Sequence, residues 1–312
     1  MVRIGSRGSA LALRQDEEVL ALLRPLYPDL DFQVLTVRTH GDVNSTASLA
    51  GMGLGVFVRE IERELLDGLL DMAIHSLKDL PTQLPPGLAL GALPQRQDPR
   101  DVLVNRWGCP LAELPEGARI GTSSPRRRAL LRCLCPQVVP VPIRGNVETR
   151  LRKSQGEECD GAILAAAGLV RLGLSGQAAE HLSPQRFVPP PGQGALAIEV
   201  RADDQRMMEL LRPIDHAETR HAVIAERAFL EALGGGCQLP AGAYAWAAEE
   251  SLSMTVFLSS PDGEKAFWVQ QEGNIDSPVQ LAADAHGTLV ERGAAELLEA
   301  ERAATKRPGA GS

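Results

Sequence analysis

The sequence predicts an α/β protein of two similar domains followed by a smaller α+β domain. Three observations carry this reading. At 312 residues the chain is longer than one core usually organises, so two or three domains are expected. Twice along the chain, short strand-like runs alternate with amphipathic helices, and the strand ends open into loops rich in Gly, Ser and Arg. After residue 217 the order changes to a helix, three strands and a last helix. The first domain is expected over 1–94 with 195–212, the second over 100–188, and the third over 217–302, with 303–312 as a tail.

Val2 to Gly5 reads as a strand. Ser9 then caps a helix carrying Leu11, Leu13, Leu20, Leu22 and Leu23 that ends before Pro28. Arg7 and Ser9 fall between a strand and a helix start, where free N–H groups favour an anion, although capping alone explains Ser9. Phe32 to Val37 alternates as a strand. Gly51, Gly53 and Gly55 mark a loop before a helix with Phe57, Val58, Ile61, Leu65 and Leu66 on one face. Asp71 to Ser76 is the next strand and runs into Ser76-Leu77-Lys78-Asp79-Leu80-Pro81. Ligands of open α/β sheets gather at such strand ends, but a solvated charge pair before a proline turn is the plainer account of Lys78 and Asp79. Leu88 to Leu93 is a further strand, and Gln95 to Arg100 a polar hinge.

The second run has strands near Val102–Val104 and Arg119–Gly121. Gly121-Thr122-Ser123-Ser124-Pro125 then leads into Arg126, Arg127 and Arg128, an anion-cradle pattern of Gly, hydroxyls and a first-turn Pro. Guanidinium forks suit carboxylate or phosphate, while a solvated basic face explains one arginine more easily than three. The spacing is not that of a P-loop. Val138 to Ile143 ends at Arg144-Gly145-Asn146, and Asn146 can cap a helix bearing Arg150 and Arg152. Ala162 to Ala165 is a strand and Ala166 begins a helix. Pro189 to Pro191 with Gly192-Gln193-Gly194 forms a stiff connector, and Ala195 to Val200 is a strand suited to return to the first sheet.

Asp215 and Glu218 read as a capping box for a helix to about Leu233. His216 and His221, five apart, are read as surface histidines and not as metal ligands. Gly234-Gly235-Gly236-Cys237 follows. Either the glycines stop the helix before a buried thiol, or they display Cys237 for covalent chemistry. No histidine is placed to serve Cys237 as a base, which weakens a thiol-hydrolase reading. Strands are expected near Ala241–Ala247, Leu252–Leu258 and Lys265–Gln271, then one helix from Pro278 to Leu298.

The net charge of −8 argues against a nucleic-acid or membrane-surface binder and makes clustered arginines informative. Five cysteines without framework spacing suit a reducing compartment, and Cys133-x-Cys135 is too tight for a zinc pair. No signal segment is read, so a cytoplasmic protein is expected. The residues alone point to a two-lobed α/β cleft for a ligand with several carboxylates or phosphates. Asp79 is then the one acid at a strand end among basic groups, suited to proton transfer or to facing a cation.

Seven segments in order resemble the porphobilinogen deaminase, or hydroxymethylbilane synthase, family. They are Arg3-Ile4-Gly5-Ser6-Arg7, His75-Ser76-Leu77-Lys78-Asp79-Leu80-Pro81, Asp98-Pro99-Arg100-Asp101, Gly121-Thr122-Ser123-Ser124, Ile143-Arg144-Gly145-Asn146, Pro191-Gly192-Gln193-Gly194 and Gly236-Cys237-Gln238-Leu239-Pro240. The resemblance covers nearly the whole chain. It implies two periplasmic-binding-protein-like (type II) α/β domains around a cleft, plus a smaller C-terminal α+β domain carrying the cysteine. It implies a dipyrromethane cofactor held on Cys237 by a thioether, and a transferase that adds porphobilinogen units with loss of ammonia and releases a linear tetrapyrrole by hydrolysis.

By the same resemblance, Asp79 is catalytic and stabilises the cation left when ammonia departs. Arg7, Arg126, Arg127, Arg144 and Arg150 hold acetate and propionate groups. Gly145, Ser9, Gln15, Ser76, Lys78, Thr122, Ser123, Ser124 and Gln193 complete the polar set, and Phe57 stacks on a pyrrole. A monomer acting on a small-molecule substrate, without metal, nucleic acid or membrane, is expected. Residues 51–56 depart from the family pattern: they carry no lysine and are one residue shorter, which bears on any lid in that loop. The rival from another class is a non-catalytic polyanion-binding protein on the same two-lobed fold. It would need neither Asp79 nor the thiol.

Overall fold

The computed structural model describes residues 1–37, 58–156, 158–234 and 240–299. In chain order the strands are β1 (Val2–Ser6), β2 (Phe32–Thr36), β3 (Met72–Ser76), β4 (Leu88–Ala92), β5 (Asp101–Asn105), β6 (Arg119–Gly121) and β7 (Val139–Val141). They continue with β8 (Gly161–Ala165), β9 (Glu180–His181), β10 (Leu196–Arg201), β11 (Ala241–Ala248), β12 (Ser251–Ser259) and β13 (Ala266–Asn274). The chain divides into two compact units. One comprises Met1–Pro99, Ala167–Ser175 and Gly192–Arg220; the other comprises Arg100–Ala166, Gly176–Pro191 and the chain from His221 onward.

The first unit is built on the sheet β2-β1-β3-β10-β4. β1, β2 and β3 are parallel, and β10 enters antiparallel between β3 and β4. The expected returning strand is therefore found, with Leu196 opposite Ser76. Gly194 makes the entry possible: its φ is +90°, and a Cβ there would meet the Gln97 carbonyl oxygen. The helix Ala10–Leu23 packs Val19, Leu20 and Leu23 on Val2, Ile4, Met72 and Ile74. Leu13 and Leu22, read as part of its apolar set, face solvent. The opposite sheet face meets the helix Arg59–Leu66 through Ile61 and Leu65, while Leu66 is exposed.

The second unit holds two sheets. β7-β6-β8-β5-β9 repeats the first sheet's plan, with β5 as the antiparallel member. The two five-stranded sheets thus share one order, each with a single antiparallel strand, β10 in the first and β5 in the second, but only β10 returns from a later stretch of the chain. Helix Pro125–Leu134 buries Ala129, Leu130 and Leu131 against it. The antiparallel sheet β11-β12-β13 is the α+β portion. Its core joins Ala243, Met254 and Val256 to Phe229 of helix Ala217–Ala232 and to Leu281 and Leu289 of helix Pro278–Leu289.

Two local expectations are corrected. His216, not Asp215, caps helix Ala217–Ala232: its Nδ1 accepts the Thr219 N–H at 3.2 Å. Asp215 is occupied elsewhere, accepting from the Leu93 N–H and bound by both arms of Arg220. The last helix does not run evenly to Leu298; its regular part ends at Leu289 and gives way to a wide turn, Val290–Ala294, inside which Gly293 stands at φ 100°. Helix Gln205–Leu211 and strand β9 were not anticipated, being too short for periodicity to separate from loop. Among the described residues no helix is long and apolar enough to cross a membrane.

Candidate active site

In the first unit β3 delivers the key residues. It ends at Ser76, and a single 3-10 turn, Leu77–Asp79, closes with the Leu80 N–H on the Leu77 carbonyl. Gln15, buried on its helix, donates to Ser76 Oγ at 2.6 Å. The Leu77 N–H donates to the Ala195 carbonyl at 3.0 Å. Lys78 Nζ donates to Gln193 Oε1 at 3.3 Å. Gln193 is itself fully enclosed, donating to the Pro99 carbonyl while its own carbonyl accepts from Arg96 Nε. The structure thus brings together Gln15, Ser76, Lys78 and Gln193 around one turn, and leaves Asp79 exposed at its end. Lys78 is no free surface charge, and the solvated-pair account of Lys78 and Asp79 falls for that residue. Ser9 serves as the helix cap, accepting from the Ala12 N–H at 3.2 Å, and Arg7 is half-buried beside it.

In the second unit the strand–Gly–hydroxyl–Pro pattern folds as a helix entrance. Pro125 occupies the first turn, Ser124 Oγ accepts the Arg127 N–H, and Thr122 Oγ accepts the Ser124 N–H. Ser123 Oγ donates to the Ile143 carbonyl at 2.7 Å, tying this loop to the end of the neighbouring strand segment. There Arg144 and Gly145 are exposed, Gly145 at φ +117°. Asn146 caps helix Val147–Lys153, and Arg150 Nε donates to the Gly145 carbonyl at 2.8 Å.

Arg126 and Arg127 are not a solvated basic face. They are 5% and 7% exposed. Asp101, with no exposure at all, gives one oxygen to each: Arg126 Nη2 at 2.7 Å and Arg127 Nη2 at 2.6 Å. Their Nη1 atoms donate to the Val188 and Ile163 carbonyls. Two buried cations therefore share one buried anion. Burial holds the Arg126 guanidinium below its ordinary range, with Asp101 opposing and the Arg127 charge reinforcing. Arg150 is also held down, by burial first and then by Arg127. Both Arg126 Nε and Arg127 Nε are buried without a hydrogen-bond partner among the described residues.

Phe57, residues 51–56 and Cys237 lie outside the described residues. Sequence reasoning did not single out Asp101, although it stands in the Asp98-Pro99-Arg100-Asp101 segment. Nor did it notice a buried set of acids in the first unit. His75 Nε2 pairs with Glu199 Oε2 at 3.2 Å, with side chains 3% and 0% exposed. Asp16, 2% exposed, lies on the same face of its helix as Val19, Leu20 and Leu23. A lone acid in phase with that apolar face was the available signal. Burial pushes the Asp16 carboxyl up to about 6, against the opposing influence of the Ser6 hydroxyl and the His75 ring.

Residues 2–209 match the family model "Porphobilinogen deaminase, dipyromethane cofactor binding domain", and residues 221–291 match "Porphobilinogen deaminase, C-terminal domain". The chain is similar to the porphobilinogen deaminase of Carboxydothermus hydrogenoformans, 44% identical over 299 residues, covering 96% of this chain and 96% of that protein. It is 46% identical over 300 residues to that of Syntrophotalea carbinolica, covering 96% and 95%. It is 42% identical over 299 residues to that of Thermus thermophilus, covering 96% and 98%.

Proposed function

Because the chain belongs to the porphobilinogen deaminase family, we propose that Asp79 is its catalytic carboxylate, that Cys237 is its point of cofactor attachment, and that the two arginine sets hold the acidic side groups. The activity is the family's: deaminating polymerisation of porphobilinogen on a dipyrromethane cofactor and hydrolytic release of the linear tetrapyrrole hydroxymethylbilane, in tetrapyrrole biosynthesis.

The observation that carries the residue-level reading is the arginine pair. In a chain of net charge −8, Arg126 and Arg127 are enclosed with one counter-charge among the described residues, beside an Arg150 whose own charge is disfavoured. Positive charge in excess, with buried N–H groups unused, suits a ligand bearing several carboxylates. An uncharged or cationic ligand would gain nothing from it. The residues therefore fit a dipyrromethane, whose rings carry acetate and propionate groups. When bound, that group supplies the primer to which substrate units are joined.

The chain's own residues do the rest. Arg126, Arg127 and Arg150, with Arg144 beside Gly145, neutralise and orient carboxylates in the second unit; Arg7 does so in the first. Thr122, Ser123 and Ser124 hold the loop and helix start that aim the arginines. Gln15, Ser76, Lys78 and Gln193 fix the turn that presents Asp79. Asp79 faces the positive charge that develops as ammonia leaves, and takes and returns protons at the reacting carbon. Attachment through the Cys237 sulfur keeps successive additions intramolecular, so no intermediate is lost between steps. We also read the enzyme as cytoplasmic and monomeric with no nucleic-acid partner, a reading supported by its acidic balance and unframed cysteines.

The test is the intact mass of the denatured protein before and after incubation with porphobilinogen, followed by peptide mapping. An added dipyrromethane on the Cys237 peptide is expected. An unmodified, freely alkylated Cys237 in protein that turns over would overturn the attachment.

A further inference from the structure

We propose that His75 is a positioning residue for Asp79: through its buried bond to Glu199 it fixes β3 against β10 and so sets where the Ser76–Asp79 turn stands. This rests on the reading of Asp79 as the catalytic carboxylate.

β3 and β10 are antiparallel neighbours, with His75 opposite Ala197 and Glu199 opposite Ala73. His75 and Glu199 are thus a diagonal pair on one sheet face, within reach of long side chains. Their bond is 3.2 Å and almost wholly enclosed. Stability does not explain it, because an apolar pair of similar volume would hold the strands as well without desolvating polar groups. What the pair adds is direction. The residue after His75 is Ser76, and the Ser76–Asp79 turn is stitched to the lead-in of β10 by Leu77 to Ala195 and Lys78 to Gln193. A shift of β3 along β10 would carry the turn, and Asp79 with it. A hydrogen bond between the two strands resists that shift; apolar contact does so poorly.

Charged groups reach the pair from both neighbouring helices: Glu62 of helix Arg59–Leu66, with Arg59 near it, feels both His75 and Glu199, while Asp16 of helix Ala10–Leu23, beside Ser6 of β1 on the other sheet face, feels the His75 charge. Both Asp16 oxygens, Glu62 Oε1 and Glu199 Oε1 lack a hydrogen-bond partner of ordinary geometry among the described residues. Burial raises the Glu62 carboxyl, and the Glu199 charge raises it further, with His75 and Arg59 opposing. Glu199 bonded to the imidazole and Glu62 close enough to feel both charges make two buried acids beside one histidine, which is no ordinary packing solution.

The experiment compares His75→Phe/Glu199→Leu with His75→Gln in the cofactor-loaded enzyme. The double variant removes both partners and leaves no orphaned charge, so it is expected to fold. Its kcat is expected to fall by about 30- to 100-fold, the loss that a misplacement near 1 Å produces, with KM within about three-fold of the parent. His75→Gln keeps a donor at the Nε2 position and recovers most of that loss. Hydrogen exchange at the Leu77 amide reads position without activity. Its protection is expected to drop by about ten-fold in the double variant and to be kept in His75→Gln.

Glu199→Asp is a second arm. It keeps the charge but withdraws it by one methylene, and is expected to behave as the double variant does. Parental kcat or parental Leu77 protection in the double variant or in Glu199→Asp overturns the proposal. Normal turnover of Asp79→Asn would sink the reading of Asp79 instead, and the Leu77 exchange result would still decide whether His75 places the turn.

Discussion

Replacing Asp16 by Asn should stabilise the first unit at neutral pH and do little in acid. The carboxyl is 2% exposed, and no described residue gives either oxygen a hydrogen bond of ordinary geometry. Its folded value is raised from 3.8 to about 6. Between those values the folded state binds more protons than the unfolded chain, so stability falls as pH rises through that window. The full interval corresponds to about 3 kcal/mol, absent below pH about 4 and fully expressed above about 6. Asn is nearly the same size and cannot ionise, so it escapes this term. The difference between variant and parent should therefore grow by about 3 kcal/mol in the variant's favour from pH 4 to pH 8. Tryptophan fluorescence is the wrong assay, because Trp107, Trp246 and Trp268 all lie in the second unit. Native-state amide exchange at Ile4, Met72 and Ile74, in the sheet against which this helix packs, reports the right opening. After correction for intrinsic exchange, protection in the variant should exceed the parent's by about 100-fold at pH 8 and be nearly equal at pH 4. A constant difference across that range would show that Asp16 does not titrate as its burial requires.

Three further outcomes are expected. Asp79→Asn should keep its cofactor mass and its stability within about 0.5 kcal/mol, since the side chain is exposed, while kcat falls at least about 100-fold; near-normal turnover would remove Asp79 from the chemistry. Cys237→Ser should show no thioether-bound mass after denaturation, and a fully active variant would contradict attachment there. Asp101→Leu should destabilise the second unit by about 3–5 kcal/mol, because it leaves two enclosed guanidiniums without their anion. Here tryptophan fluorescence in urea is suitable, and a loss under about 1 kcal/mol would mean that other groups neutralise the pair.

Much of the fold was legible because its elements announce themselves locally. Ser9 and Asn146 cap the helices they were expected to cap. The strand at Ala195–Val200 declared its return to the first sheet through the stiff Pro-Gly connector before it. The failures also have local causes. Asp215 satisfies the capping pattern on paper, but Arg220 offers a two-armed bond and the Leu93 N–H a third, so the cap passes to His216. Leu22 and Leu66 are apolar residues out of phase with the face that packs, while Leu13, a heptad before the buried Leu20, is exposed one turn into its helix, and composition cannot say how much of a helix a sheet covers.

The candidate site divides along a different line. Residues at strand ends were visible, because polar side chains in glycine- and proline-bearing loops have few structural excuses. Their partners were not, because those sit inside elements. Asp101 begins β5, and Glu199 lies in β10 between Ile198 and Val200, where each passes for an ordinary strand residue. Yet these interior acids decide what the visible residues can do. Asp101 holds Arg126 and Arg127 as a fixed, half-neutralised pair in place of exposed charges. An exposed arginine cluster would have offered the same charge to any anion, screened by salt and mobile in direction. Enclosure trades that generality for orientation. The same exchange recurs in the first unit, where Gln15 and Gln193 turn Ser76 and Lys78 from surface groups into the mountings of a turn. Raising salt should therefore weaken carboxylate binding by the enclosed arginines less than binding by Arg144, which stands exposed.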